Sequence, residues 1–389
     1  MTARRKKKIA TGHSGVKEKP EKIMPSMILP YEELWRPLYP FRSHYMRIGG
    51  LAYHYIDEGP VNGGDSTQYE EPINIDRAAA GGNLAADHDF PVNKPDADKI
   101  KEVVEGKPAK KNKLNQEEGT PLTGQEPVLL MVHGNPTWSF YWRKLIQEFR
   151  SQYRVIAVDH IGCGLSEKPS ETQYPFTLEA RIQNLSHLIR KLNLNRIVLI
   201  AHDWGGAVGM GAAIQCPRRF SRFVLMNTGA FRSSLCPLRI RLCRTPLLGR
   251  LMLQGLNAFS LAALKMATTQ PGGLVHDVAA GMIAPYDSWE HRTAVYQFVQ
   301  DIPLSEHHRS WKKLGEVQEG LSLFREHPVS LIWGMKDWCF SPEFLKRFLQ
   351  FFPEAEVHRL EKAGHYLVED AAPEVIDIIR EFVKKPFSD

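Results

Sequence analysis

The chemistry of this 389-residue sequence is densest at Ile197-Val-Leu-Ile-Ala-His-Asp-Trp-Gly-Gly-Ala207. An apolar run passes into small residues and then into a helical pattern, with Asp203 at the junction. Small residues at Ala201, Gly205 and Gly206 permit a sharp strand-to-helix turn, which pushes one side chain out at a helix N-terminus where an anion is favoured. That side chain is a carboxylate. An Asp there can also act only as a helix cap, worth about 1 kcal/mol, so other residues must decide. Two do. Gly334-Met-Lys-Asp337 and Gly364-His365 follow the last two strand-like runs, and in a parallel sheet such loops emerge on the edge that carries Asp203. The position after the earlier strand is Asn227, which cannot balance an imidazolium, so Asp337 is expected to serve as the acid.

A carboxylate nucleophile attacks saturated carbon, displaces a leaving group and forms an ester, whereas a serine in its place would suggest acyl transfer. His365 would deprotonate the water that cleaves the ester, with Asp337 holding its ring and stabilising the imidazolium. Backbone N–H groups at the turn can stabilise the oxyanion of that step. The loop His133-Gly-Asn-Pro-Thr-Trp138 faces the turn in such a fold. The amide of Asn135 and the indole N–H of Trp204 would then form a two-donor pocket for a small anion such as halide.

The elements needed to position these groups are legible. Tyr45 to Ile56 reads as a hairpin around Gly49-Gly50, and Val128 to Val132 as a strand buried on both faces. Trp138 to Phe149, Leu178 to Leu192 and Gly205 to Gln215 read as helices, with strands at Tyr153 to Val158, Arg196 to Ala201 and Phe223 to Asn227. This alternation predicts an α/β fold with a mostly parallel central sheet and crossover helices. From 229 to 320 only helical periodicity remains, punctuated by prolines, so a helical cap is expected, with Leu247 to Met266 as the candidate wall of a substrate channel. Strands resume at Val329 to Trp333 and Glu356 to Leu360, with helices Pro342 to Phe351 and Pro373 to Val383. The expected organisation is a disordered basic arm over 1–25, core over 26–59 and 127–228, a low-complexity insertion over 60–126, the cap over 229–320, and core again over 321–389. The insertion carries only Tyr69 and Phe90 as aromatics.

Composition excludes other classes. With 43% hydrophobic and 24% charged residues the chain is globular, and its net charge of +6 is accounted for by Arg4, Arg5, Lys6, Lys7, Lys8, Lys17, Lys19 and Lys22 against Glu18 and Glu21. The body is neutral, so no nucleic-acid partner is expected. Five scattered cysteines imply neither a disulfide framework nor a zinc site, and His307-His308 is too isolated for a metal. With no signal-peptide core and no uncharged apolar run near about 20 residues, a soluble cytoplasmic protein without a transmembrane segment is expected. Gly162-Cys-Gly-Leu-Ser166 lacks the Lys and spacing of a phosphate loop. Glu369 and Asp370 read as helix-start residues rather than a second catalytic pair.

The motifs His133 to Trp138, Asp159-His-Ile-Gly-Cys-Gly-Leu-Ser-Glu-Lys-Pro169, His202-Asp-Trp-Gly-Gly206 and Gly364-His365 together resemble the haloalkane dehalogenases, from Tyr45 to Val383 apart from the insertion. The resemblance implies an α/β-hydrolase fold with Asp203 as nucleophile, His365 as base, Asp337 as acid, and Asn135 and Trp204 as halide donors. It implies no cofactor or metal, a small apolar substrate, and compatibility with a homo-oligomer. An Asp acid with an Asn–Trp donor pair looks like the third subfamily. Members of that group are similar to the β-lactone decarboxylases of long-chain olefin synthesis, and Gly255 to Phe259 and Phe298 to Leu304 look like theirs. The first expectation is therefore carbon–halogen cleavage, with decarboxylation of a long-chain cis-β-lactone as the alternative. An epoxide hydrolase using Tyr286 and Tyr296 as acids, and a non-enzymatic scaffold, are further readings.

Overall fold

Continuous apolar runs become strands with both faces covered. The computed structural model describes residues 32–60 and 126–386, so the arm expected over 1–25 and nearly all of the insertion expected over 60–126 lie outside the described residues. Eight strands follow in chain order: β1 (Ser43–Ile48), β2 (Leu51–Glu58), β3 (Val128–Val132), β4 (Arg154–Val158), β5 (Ile197–Asp203), β6 (Phe220–Thr228), β7 (Val329–Gly334) and β8 (Glu356–Leu360). They form one sheet in the order β1-β2-β4-β3-β5-β6-β7-β8. The β1–β2 and β2–β4 pairs are antiparallel, and every pair from β4 to β8 is parallel. The hairpin turns at Gly49 and Gly50, with φ of 59° and 84°, conformations glycine reaches without penalty.

The period of two along each strand divides the core into two layers. Leu130, Val132, Ile197, Leu199, Ala201 and Leu225 face one, while Leu129, Met131, Val198, Ile200 and Val224 face the other. Withdrawing each of the larger side chains from water contributes about 1.5–3 kcal/mol. Helices Leu178–Lys191 and Trp204–Gln215 cover the first layer, and Arg143–Phe149 and Ala372–Lys384 the second. Thr177 caps Leu178–Lys191 by accepting the Ala180 N–H at 3.2 Å. The expected helix from Trp138 begins as a 3-10 turn, Ser139–Trp142, before Arg143–Phe149.

Between β6 and β7 the regular elements are all helices, joined by irregular segments, as the loss of alternation in the sequence predicts. Glu369 and Asp370 lie in the one-turn helix Leu367–Asp370, just ahead of helix Ala372–Lys384, and their carboxylates turn to partners. Glu369 is buried against Arg143 at 2.9 Å and Lys144 at 2.8 Å. Asp370 accepts the N–H groups of Thr269 and Gly364. No helix among the described residues is long and apolar enough to cross a membrane.

Removing one partner of a buried ion pair leaves an uncompensated charge. Lys144 would still neutralise Glu369 if Arg143 were lost, whereas Glu369→Leu leaves Arg143 buried without its carboxylate and should lower stability by about 3 kcal/mol or more, measured by thermal or urea denaturation.

Candidate active site

The turn from β5 into helix Trp204–Gln215 places Asp203 at φ 54° and ψ −127°, a backbone region that non-glycine residues rarely adopt. Close approach fixes it there. A Cβ on Gly205 would stand 2.0 Å from the Val132 carbonyl oxygen, and one on Gly134 would stand 2.0 Å from Asp203 Oδ1. The Thr228 hydroxyl donates to the Asp203 carbonyl, tying the turn to the end of β6.

The Asp203 carboxylate is nearly enclosed. Oδ1 accepts the backbone N–H of Asn135 at 2.7 Å, and the Trp204 backbone N–H, at the start of the helix, also favours the charged form. Burial pushes its pKa above the usual carboxylate range, against the opposing pull of His365 and these two N–H groups. Oδ2 lies 3.7 Å from His365 Nε2, outside hydrogen-bond range but within reach of a proton or an intervening atom. His365 Nδ1 is 2.8 Å from Asp337 Oδ2. Burial works against the imidazolium, but the charge and hydrogen bond of Asp337, with Asp203, outweigh it, and the His365 pKa is raised.

Asp337 is held in turn. Oδ1 accepts the N–H groups of Cys339 at 2.6 Å and Phe340 at 3.1 Å, and Oδ2 accepts Asn227 Nδ2 at 2.9 Å. Asn227 also accepts the Gly334 N–H at 2.7 Å, stapling β6 to β7. Its residue type had excluded it as the acid; its role in holding the acid carries no signal in one-dimensional spacing. Phe340 stacks on the His365 ring at 5.8 Å and 14°. His202, adjacent to Asp203, has a ring nitrogen 2.9 Å from the His365 carbonyl and is kept neutral by burial, so Nε2 carries the proton and donates.

Asp203, His365 and Asp337 are thus brought together as expected. Asn135 joins them through its backbone, and its side-chain Nδ2 donates to the Val295 carbonyl at 3.1 Å, leaving one of its two N–H bonds for a ligand. The Trp204 ring lies 5.5 Å from Phe298 and lines an apolar cavity of about 110 Å³. The walls of that cavity are Phe231, Leu235 to Pro237, Ile240, Ile302 to Leu304, Phe340 and Phe344. The expected wall, Leu247 to Met266, contributes none of its lining. Instead Leu247, Leu248, Leu251 and Leu256 turn to solvent, while Leu253 and Phe259 pack on Ile240 and Val299. Tyr286, expected as an acid in the epoxide reading, is buried and donates to the Thr137 carbonyl at 3.2 Å; Tyr296 packs with the Ile240 cluster. His308 meets the Gln300 carbonyl and the Ser310 N–H. No cluster of His, Cys, Asp or Glu among the described residues is placed to hold a metal ion.

A mostly parallel eight-stranded sheet, with a carboxylate at the β5 turn and an Asp–His pair after β7 and β8, defines an α/β hydrolase. The profile of the α/β hydrolase fold family matches residues 127–372, and the chain belongs to that family. Its relatives include the "cis-3-alkyl-4-alkyloxetan-2-one decarboxylase" of Shewanella oneidensis, 40% identical over 67% of this chain and 83% of that protein. The "haloalkane dehalogenase 2" of Mycobacterium bovis is 30% identical over 66% of this chain and 88% of that protein. The crystal structure of haloalkane dehalogenase DbeA from Bradyrhizobium elkani shares the fold, with TM-score 0.64 and 20% identity, covering 88% of this chain and 97% of that one.

Gly205→Ala should disrupt the turn and cost at least about 2 kcal/mol, since the obstacle is a backbone carbonyl and not a mobile side chain; urea denaturation checks it. In Asp337→Asn the main upward influence on His365 is gone, so its pKa, followed by NMR titration, should fall. The sign for stability follows: a raised folded pKa contributes stability below the unfolded value, lost as pH rises through the folded one. That loss should vanish in Asp337→Asn.

Proposed function

We propose that this chain is a decarboxylase of long-chain cis-β-lactones, converting a cis-3-alkyl-4-alkyloxetan-2-one into an alkene and carbon dioxide, with Asp203 as nucleophile. The observation that carries the reading is the Asp203 carboxylate, with one oxygen held by the backbone N–H of Asn135 and the other facing His365. The 40% identity to the Shewanella oneidensis decarboxylase supports this substrate over a haloalkane, for which the identity is 30%. The order expected from sequence is therefore reversed.

An Asp203 oxygen attacks C4 of the lactone ring. The C4–O bond breaks, and its electron pair leaves on the ring oxygen as a carboxylate attached to C3. The product is an alkyl ester on Asp203. The bond from C3 to the carboxylate carbon then breaks, and its electron pair forms the C3–C4 double bond while C4–O(Asp203) cleaves. Carbon dioxide departs and Asp203 returns as a carboxylate. Inversion at C4 followed by anti elimination keeps both alkyl groups on one side, so a cis lactone yields a cis alkene. No water is consumed.

Asn135 and Trp204 hold the freed carboxylate until it fragments, and an imidazolium at His365, favoured by Asp337, supports the same negative charge. The second reading, halide displacement, is favoured by the same two donors and requires His365 neutral, to activate water against the ester.

Purified protein incubated separately with a long-chain cis-β-lactone and with bromoalkanes should give cis alkene from the first. Halide release without alkene would overturn the reading. Asp203→Asn should lower alkene formation by at least about 10³-fold. Intact-protein mass spectrometry of His365→Ala separates the routes. A lactone-derived ester fragments without water and leaves no adduct, whereas a bromoalkane leaves an alkyl group on Asp203.

A further inference from the structure

The helical stretch between β6 and β7 carries a surface that its own packing does not use. From Gly229 to His276 there are five arginines and Lys265 but no Asp or Glu. In the same stretch Leu238, Leu242, Leu247, Leu248 and Leu251 are exposed, Leu247 to 85%. Leu238 and Leu242 are one turn apart on helix Leu238–Cys243, with exposed Arg239 and Arg241 between them. Leu247 sits at φ 58°, a left-handed conformation that leucine rarely adopts. The Leu247 carbonyl accepts the Leu251 N–H at 2.8 Å, and the Thr245 carbonyl accepts the Gly249 N–H at 2.9 Å, holding the turn. A strained turn thus keeps a large apolar side chain in water.

The positive charge of this face is largely uncompensated. Among the described residues, Arg250 pairs with Glu171 at 2.6 Å, while Arg239 lies over the Trp338 ring and Arg241 donates to the carbonyls of Cys236 and Ser234. The face also borders the cavity. Leu235, half exposed, lines the space that reaches Trp204.

We propose that this face docks on an anionic phospholipid surface, its leucines entering the acyl boundary and its arginines meeting headgroup phosphates, with the cavity mouth at the membrane. Exposed leucines interleaved with arginines, without acidic residues, suit the interfacial boundary, where apolar burial and attraction to anionic lipid act together. A second copy would bring the same cations face to face across a two-fold axis. Docking goes beyond the lactone reading and is tested without substrate, so either can fail while the other stands.

The full-length protein is sedimented with phosphatidylcholine vesicles and with phosphatidylcholine–phosphatidylglycerol vesicles at low and physiological salt. Binding to the mixed vesicles, weakened by salt and by omitting phosphatidylglycerol, is expected. The double variant Leu247→Ser and Leu248→Ser removes no charge and lies outside the cavity lining. It should bind roughly ten-fold or more weaker, with its thermal midpoint unchanged. Attraction through the basic arm at Arg4 to Lys8 would survive that substitution. Undiminished vesicle binding by the serine variant overturns the proposal, as does absence of binding by the unaltered protein. Self-association that the serine variant abolishes, without vesicle binding, overturns it in favour of an interface between copies.

Discussion

The structure is organised around holding one carboxylate, Asp203, in a backbone conformation it would not choose. Such a conformation costs of order 1–3 kcal/mol and persists only where surroundings over-determine it. Here β5 lies between β3 and β6, so the Val132 carbonyl, the Asn135 N–H and the Thr228 hydroxyl converge on the turn from both neighbours. The order of strands is thus the condition for the strain to hold. The Asn135 N–H that binds Oδ1 is placed to bind the carbonyl oxygen of the ester proposed to form on Asp203.

Electrostatics separate His365 from its neighbours. His133, His160 and His202 are buried in the same region, and for each the dominant effect is burial, which lowers the pKa and keeps the ring neutral. Their tautomers are fixed by backbone partners: His133 Nε2 accepts the His160 N–H at 3.0 Å, so its Nδ1 donates to the Gly134 carbonyl at 2.7 Å. His365 alone of these four meets a carboxylate side chain at hydrogen-bond distance, and its pKa moves the other way. His54 and Asp159 form a second buried pair, at 2.7 Å. For Asp159, burial is outweighed by His54 and the carboxyl falls to about 2, while the Ser139 and Leu165 N–H groups join the turn after β3 to the loop after β4. That pair braces the loop beneath the site.

The candidate catalytic residues and the cavity belong to different parts of the molecule. The sheet edge supplies Asp203, His365 and Asp337, a set compatible with both carbon–halogen cleavage and lactone fragmentation. The helical stretch supplies most of the cavity walls and an outer face of leucine and arginine. The long-chain lactone proposed as substrate, elongated, apolar and poorly soluble, would give a common reason for both features.

Much of this was legible in the sequence. Val128 to Val132 and Ile197 to Ala201 could only be strands covered on both faces, because an unbroken apolar run cannot leave one face in water. The small residues around Asp203 required a tight turn, and the loops bearing Asp337 and His365 had to share its edge once the sheet was parallel. What one dimension does not encode is which side of an irregular helical stretch meets the core. Leu247 to Met266 has the composition of a channel wall, yet the turn at Leu247 points its leucines outward and Leu235 to Ile240 line the cavity instead. The support given by Asn227 to Asp337, and the turn of Glu369 toward Arg143, likewise join residues 110 and 226 positions apart. Local patterning determines elements and their edges, because it depends on neighbours a few residues away; these contacts depend on how distant segments pack, and only the tertiary structure decides them.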